Sequence, residues 1–364
     1  MCVSPIIIDN PNYHNEHARI FGKDVDNTKL AIPCGVCCDC VAVKQMYMVQ
    51  RVQMEAQKNR LFFGTLTYSN DMLPKVVTSS GFEIAYADIR DFQLMIKRLR
   101  NDNAFGFPFR FYLVSEFGSK RGRPHAHLLY LVDKKYLPDY NSCLNAEKII
   151  YDKTFAYWCR NYGSKRVPDY KPCCEYHTGW RRGKLYTNYD LHYVNPSLTP
   201  NAESEVAFYV LKYMMKPSNR EIRLQQALHL NLPEDEYNDI WSLVRPTSIK
   251  SLGFGYNAVM RSGRSMEFDL DIVRYLRQCV EKTPTESPYP CYYQPYSGAS
   301  FPLGRFYRSN PSIFSAVDAI DFYYMHNPAM DSNIIRNAKE DVKRFCDRVD
   351  LADSHSHDDE FTNL

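Results

Sequence analysis

Three groups of residues in this 364-residue chain have the types and spacing to do chemistry. The first is Pro124-His125-Ala126-His127-Leu128-Leu129, which follows Glu116 by way of the Gly-rich basic turn Gly118-Ser119-Lys120-Arg121-Gly122-Arg123. Apolar residues lead into and out of this turn, the pattern of a β-hairpin with a long loop. Residues i and i+2 of a strand share a face, so His125 and His127 project together and Ala126 turns away. Folding back near 120–122 puts Glu116 opposite one of the histidines. Two imidazoles and a carboxylate form a ligand set for a divalent cation with open positions, and Mg2+ or Mn2+ is the expected cofactor. The second group is Tyr209-Val210-Leu211-Lys212-Tyr213. It sits in a stretch, 203–216, with acidic residues at its start and Pro217 at its end, which predicts a helix. The two tyrosines are one turn apart on one face, with Lys212 beside them. The third group is Cys34, Cys37 and Cys40, a C-x2-C-x2-C spacing. It can surround a structural zinc ion or an iron–sulfur cluster, or be a tight turn of reduced thiols. A fourth ligand would come from Cys38, Cys173, Cys174 or His177.

Taken singly, each group has a plain structural explanation: a strand with two histidines, an amphipathic core helix with two packed tyrosines. Together they make a site for attack on a phosphodiester. A tyrosine hydroxyl has a pKa near 10 and is a poor nucleophile unless it or the phosphate is activated. A metal at Glu116, His125 and His127 would polarise the phosphate, and Lys212 would stabilise charge in the transition state.

The elements that must carry these groups follow from periodicity. A helix is expected over 41–60, then a buried strand over 60–68, where Thr65 and Thr67 need no explanation beyond β propensity. A helix over 86–100 has Ile89, Phe92, Met95, Ile96 and Leu99 on one face and Arg90, Lys97, Arg98 and Arg100 on the other. The histidine hairpin comes next, and the order strand, helix, strand, strand suits an antiparallel sheet with a helix packed on one side. Further helices are expected over 145–160, with Ile149, Ile150, Phe155 and Trp158 as apolar positions, and over 220–230, 234–241, 268–281, 313–325 and 333–349. Strands are expected within 180–194, turns over 248–256 and a long loop over 282–312.

The net charge is only +3, yet cations cluster in the middle of the chain, at 97–100, 120–123, 160–171, 181–184 and 216–223. No run of eighteen apolar residues and no signal-peptide layout occurs, so the protein is expected to stay where it is made, with its 12 cysteines reduced. The acidic end around 353–360 reads as a disordered tail. No phosphate-binding loop of the Walker type is present to power unwinding.

These residues resemble a known family. Phe63-Gly64-Thr65-Leu66-Thr67-Tyr68, Pro124-His125-Ala126-His127-Leu128-Leu129 and Tyr209-Val210-Leu211-Lys212-Tyr213 resemble, in order, the three motifs of the HUH endonucleases of rolling-circle replication. The chain is most similar to the replication initiation proteins of microviruses, the gokushovirus-like single-stranded DNA phages. Pro33-Cys34-Gly35-Val36-Cys37-Cys38-Asp39-Cys40, Trp180-Arg181-Arg182-Gly183-Lys184 and Leu252-Gly253-Phe254-Gly255-Tyr256 are similar to segments of that group. The resemblance implies an α+β fold, a Rep-like antiparallel sheet with packed helices and a ferredoxin-like core, followed by a mainly helical C-terminal extension. It implies an N-terminal arm with the cysteine segment and a helix over 1–54, an endonuclease domain over 55–222 and the extension with its acidic tail over 223–364. It further implies a metal-dependent nicking and closing enzyme that acts on single-stranded origin DNA in the host cytoplasm. Tyr209 and Tyr213 would be its nucleophiles, a 5′-phosphotyrosine its intermediate, and a host helicase and DNA polymerase its partners. A two-tyrosine transposase and a non-catalytic single-strand-binding protein on the same fold are the alternatives.

Overall fold

The structure, a computed structural model, describes residues 6–9, 29–32, 34, 38–118, 122–174, 179–181, 184–186, 189–195, 219–255, 259–260, 266–267, 269–284, 290–293, 300–308, 313 and 340. The chain divides into two compact units, residues 48–267 and, together, residues 1–47 and 268–364.

The first unit is built on a five-stranded antiparallel sheet. We number its strands β1 (Asn59–Thr67), β2 (Arg110–Phe117), β3 (Pro124–Asp133), β4 (Tyr189–Tyr193) and β5 (Ser248–Lys250). Their order across the sheet is β4-β1-β3-β2-β5. The long central strand β3 is buried along almost its whole length, which explains why its sequence is a near-continuous apolar run. On one face, Leu66, Ala126, Leu128, Tyr130 and Leu113 pack against helices α2 (Ile89–Asn101) and α3 (Tyr140–Tyr157). On the other, Leu61, Leu129, Leu131, Tyr112 and Val114 pack against Val49, Val52 and Ala56 of helix α1 (Cys38–Lys58). The sheet is therefore covered on both faces, not one. The helix on the second face escapes a simple pattern because its buried side includes Gln50, Gln53 and Glu55.

Helix α2 matches its expected apolar stripe, with Phe92, Met95, Ile96 and Leu99 all buried, and it starts where Asp88 accepts a bond from the Arg90 N–H. Helix α3 starts earlier than its apolar residues suggest, at a capping box formed by Asp139 and Ser142. Cys143, Ala146, Ile150 and Thr154 form its buried stripe, whereas Ile149 is exposed.

Residues 248–255 are not simply a turn. Strand β5 pairs with β2, and the buried Glu55 carboxylate accepts bonds from Arg110 at 2.8 Å and from the Gly255 N–H at 2.5 Å. Gly253 and Gly255 have positive φ, and a Cβ on Gly255 would lie 2.9 Å from the Arg51 side chain. The Leu252-Gly253-Phe254-Gly255 segment thus ties the sheet edge to α1, with Phe254 fully buried. Helices α4 (Asn219–Asn231) and α5 (Glu234–Val244) pack Leu228, Ile240 and Val244 against Ile84 of the small hairpin 75–85.

The second unit contains a two-stranded ribbon, Ile6–Asp9 with Lys29–Ile32, and the helix Leu270–Glu281 capped by Asp269. A hairpin, Cys291–Tyr293 with Ser300–Pro302, and the short helix Arg305–Arg308 lie where a loop was expected, in strands too brief to show periodicity. The helices expected over 203–216, 313–325 and 333–349 lie outside the described residues, save for residues 313 and 340. Among the described residues no helix is long and apolar enough to cross a membrane. The chain is α+β, an antiparallel sheet with packed helices.

Candidate metal centre

The register of the sheet builds the site. In β3, His127 faces Thr65 of β1 and Val114 of β2; His125 faces Thr67 and Glu116. All of these side chains belong to the α1 face, where Val114 joins the cluster that Leu61, Leu129 and Leu131 form with α1. The cluster is graded in exposure. The His127 side chain is 3% exposed, Glu116 9% and His125 15%, so the site opens at His125.

One carboxylate oxygen, Glu116 Oε1, lies 2.6 Å from His125 Nε2 and 3.0 Å from His127 Nε2. The other ring nitrogens are held from behind. His125 Nδ1 is 3.0 Å from the Arg123 carbonyl, which can only accept, so the proton of a neutral ring sits on Nδ1 and the Nε2 lone pair points at Glu116. His127 Nδ1 is 3.1 Å from Thr65 Oγ1, and the Phe63 ring stacks on the imidazole at 5.6 Å. Gly118 makes room for the rim: a Cβ there would sit 3.3 Å from both the Arg123 carbonyl and His125 Cε1. The Arg123 guanidinium bonds Asn70 at 2.6 Å and the Tyr68 carbonyl, and so fixes the turn to the end of β1.

Burial opposes charge on the His125 ring, but the bonds to Glu116 and to the Arg123 carbonyl outweigh it and raise its pKa. Burial likewise opposes charge on Glu116, and the two histidines outweigh it and hold the carboxyl below its usual range. The cluster thus favours a positive charge between its donor atoms, which a proton or a metal ion can supply. Donors bound to an ion at about 2.1 Å and at right angles lie about 3 Å apart, which the carboxylate oxygen and the His127 nitrogen match. Two imidazole nitrogens and a carboxylate oxygen with positions left open can hold a divalent ion.

The three expected metal ligands are therefore brought together, their donor atoms within 4.8 Å of one another; among the described residues they form a cluster able to hold an ion. Tyr209, Lys212 and Tyr213 lie outside the described residues. So does Cys37, while Cys34 is half-buried and Cys40 is buried. Cys173 and Cys174 are buried thiols whose pKa burial pushes up to about 12, so they are protonated at neutral pH. Two of the cations on the polar side of α2 have structural tasks: Arg98 bonds the Tyr157 and Cys159 carbonyls, and Arg100 bonds Ser251. The residues that sequence reasoning passed over are Thr65 and Arg123. Thr65 reads in the sequence as a strand residue of β propensity alone, and a carbonyl acceptor leaves no trace in the residue code.

Residues 61–218 match the family model of the replication-associated protein ORF2, a span that includes the strands of the metal cluster and both tyrosines. The replication-associated protein ORF4 of Chlamydia phage 1 is 33% identical over 103 residues, which is 27% of this chain and 23% of that protein. The chain thus spans less than a quarter of the length of this relative. No solved structure matches the chain. Ordered motifs, sheet register and these similarities agree in supporting a replication initiator of the microvirus type, and residues 61–218 are similar to that replication-associated protein family.

Proposed function

We propose that the protein nicks and rejoins single-stranded DNA at a replication origin, starting the rolling-circle copying of a circular phage genome in the host cytoplasm. The observation that carries this reading is the convergence of Glu116, His125 and His127 on one point at the open end of the sheet. When bound there, a divalent ion polarises the scissile phosphate and takes up charge on the departing oxygen. The chain's own residues do the rest. The phenolic oxygen of Tyr209 or Tyr213 attacks phosphorus, the bond to the 3′ oxygen breaks, and the 5′ end stays on the tyrosine. Lys212, between them in sequence, favours loss of the phenolic proton and offsets charge on the transition state. The phosphotyrosine ester keeps the energy of the broken bond, so a DNA 3′-hydroxyl can attack it and reseal the strand. With two tyrosines, one holds the 5′ end while the other cuts again. Arg123 and Thr65 hold the imidazoles so that both Nε2 atoms face the carboxylate. Unwinding and synthesis would be left to a host helicase and polymerase.

The test is a covalent adduct. Full-length protein is incubated with an origin single strand and Mn2+ or Mg2+, then resolved on a denaturing gel. The adduct is expected with the natural chain and should vanish in the double variant Tyr209→Phe plus Tyr213→Phe. His125→Ala is expected to keep strand binding and lose cleavage. An adduct that survives the double substitution, or none with the natural chain, overturns the reading.

A further inference from the structure

The hairpin that follows α3 has no part in the metal cluster, yet it is built for contact. Its strands, Cys159–Asn161 and Tyr170–Pro172, pair antiparallel, and every residue from 161 to 172 is exposed. Across 159–172 there are four cations, Arg160, Lys165, Arg166 and Lys171, against one anion, Asp169, a net +3 that equals the charge of the whole chain. Tyr162 is 53% exposed and Lys171 Nζ lies 5.2 Å from the centre of its ring.

Exposed loops of this composition are ordinarily loose, and this one is fastened. Arg160 makes a pair of bonds to the buried Asp91 carboxylate, at 2.5 and 3.2 Å, and Arg98 holds the carbonyls of Tyr157 and Cys159 at the root. Asn161 Oδ1 accepts from the N–H groups of Gly163 and Asp169, and Ser164 Oγ accepts from the Val167 N–H. The turn closes so tightly at Gly163 that a Cβ there would lie 2.2 Å from the Val167 carbonyl. Order without burial lowers the entropy lost when a ligand is held.

Position supplies the second observation. The Ser69 N–H donates to the Cys173 carbonyl at the hairpin's root, and Ser69 stands two residues past Thr67, the partner of His125. That separation is about 7 Å of extended chain. The hairpin and the metal cluster therefore rise from the same end of the sheet, where Asn70, next to Ser69, accepts a bond from Arg123.

We propose that this hairpin is a contact for single-stranded nucleic acid a few nucleotides from the scissile phosphate, with Tyr162 stacking on one unpaired base and Lys165, Arg166 and Lys171 meeting phosphates. The partner is a single strand because an exposed ring can reach the face of an unpaired base, whereas duplex bases already have both faces covered; Tyr170, exposed like Tyr162, already has Arg98 over its ring. The inference rests on the proposed function only for the location of the scissile phosphate.

The test uses the full chain and an oligonucleotide carrying 2-aminopurine, read by anisotropy, by fluorescence quenching and by adduct formation. Tyr162→Ala is expected to weaken single-strand binding about tenfold and to remove the quenching at one position, whereas Tyr162→Phe retains both. The double change Lys165→Ala plus Arg166→Ala should flatten the dependence of log affinity on log salt by about 1.4. Thermal melting checks that these exposed substitutions leave the fold intact. Unchanged affinity and quenching in Tyr162→Ala, with the adduct still formed by the natural chain, overturns the hairpin contact and leaves the nicking reading standing. Weakened binding in Tyr162→Ala with no adduct from the natural chain supports the contact and sinks the nicking reading.

Discussion

At the scale of single residues, the cluster depends on groups that would not touch an ion held there. Thr65 and the Arg123 carbonyl each hold the rear nitrogen of a histidine. Replacing such an orienting partner commonly lowers metal affinity ten- to a hundredfold. Thr65→Val keeps shape and β propensity but loses the oxygen, so Mn2+ affinity measured by calorimetry should fall by roughly tenfold or more. Thr65→Ser should restore it, and equal affinities in both variants would remove Thr65 from the site. The histidine pair was legible in the sequence because alternation along a strand fixes which side chains share a face. The pairing of Glu116 with His125 was legible only as a choice between two histidines, since the length of the intervening turn sets the register. The bond from Thr65 to His127 was not legible, because it arises from a neighbour 62 positions away.

At the scale of elements, helix α1 and the 251–255 turn are joined by a buried charge. Glu55 is fully buried and its partner Arg110 is mostly so. Removing one member of such a pair takes away the facing charge, at a cost of up to about 3–5 kcal/mol, although the Gly255 N–H and the Asn59 amide still donate to Glu55. Arg110→Ala should therefore lower the free energy of urea unfolding by about that amount. A change below about 1 kcal/mol would mean that the pair does little. Gly255→Ala should destabilise as well, since its backbone has φ +97 and its Cβ would press on Arg51. Helices α2 and α3 could be read from their apolar residues, but the Asp139 capping box that starts α3 and the exposure of Ile149 could not. Strand β5 could not, because three residues carry no period, and α1 hid its buried side behind glutamine and glutamate.

At the scale of the whole molecule, an ion bound at the proposed site would be linked to folding. A ligand that binds only the native state stabilises it by about 2.7 kcal/mol at a hundred times its dissociation constant. Mn2+ should raise the melting temperature of the natural chain by several degrees, and Glu116→Gln should abolish the rise. An equal rise in both would place the ion elsewhere. Modest net charge hid the concentration of cations in one hairpin, which is why composition alone spoke weakly for nucleic acid. The alternation of β3 carries a last consequence. Ala126, Leu128 and Tyr130 serve the core beneath α2 and α3, while His125, His127, Leu129 and Leu131 serve the opposite face. Inserting or deleting one residue inside β3 would exchange these roles, sinking the imidazoles into an apolar interior and turning Leu128 towards α1. The strand can thus tolerate substitution far better than a change in length, and natural variation in length should fall in the turn between Gly118 and Gly122.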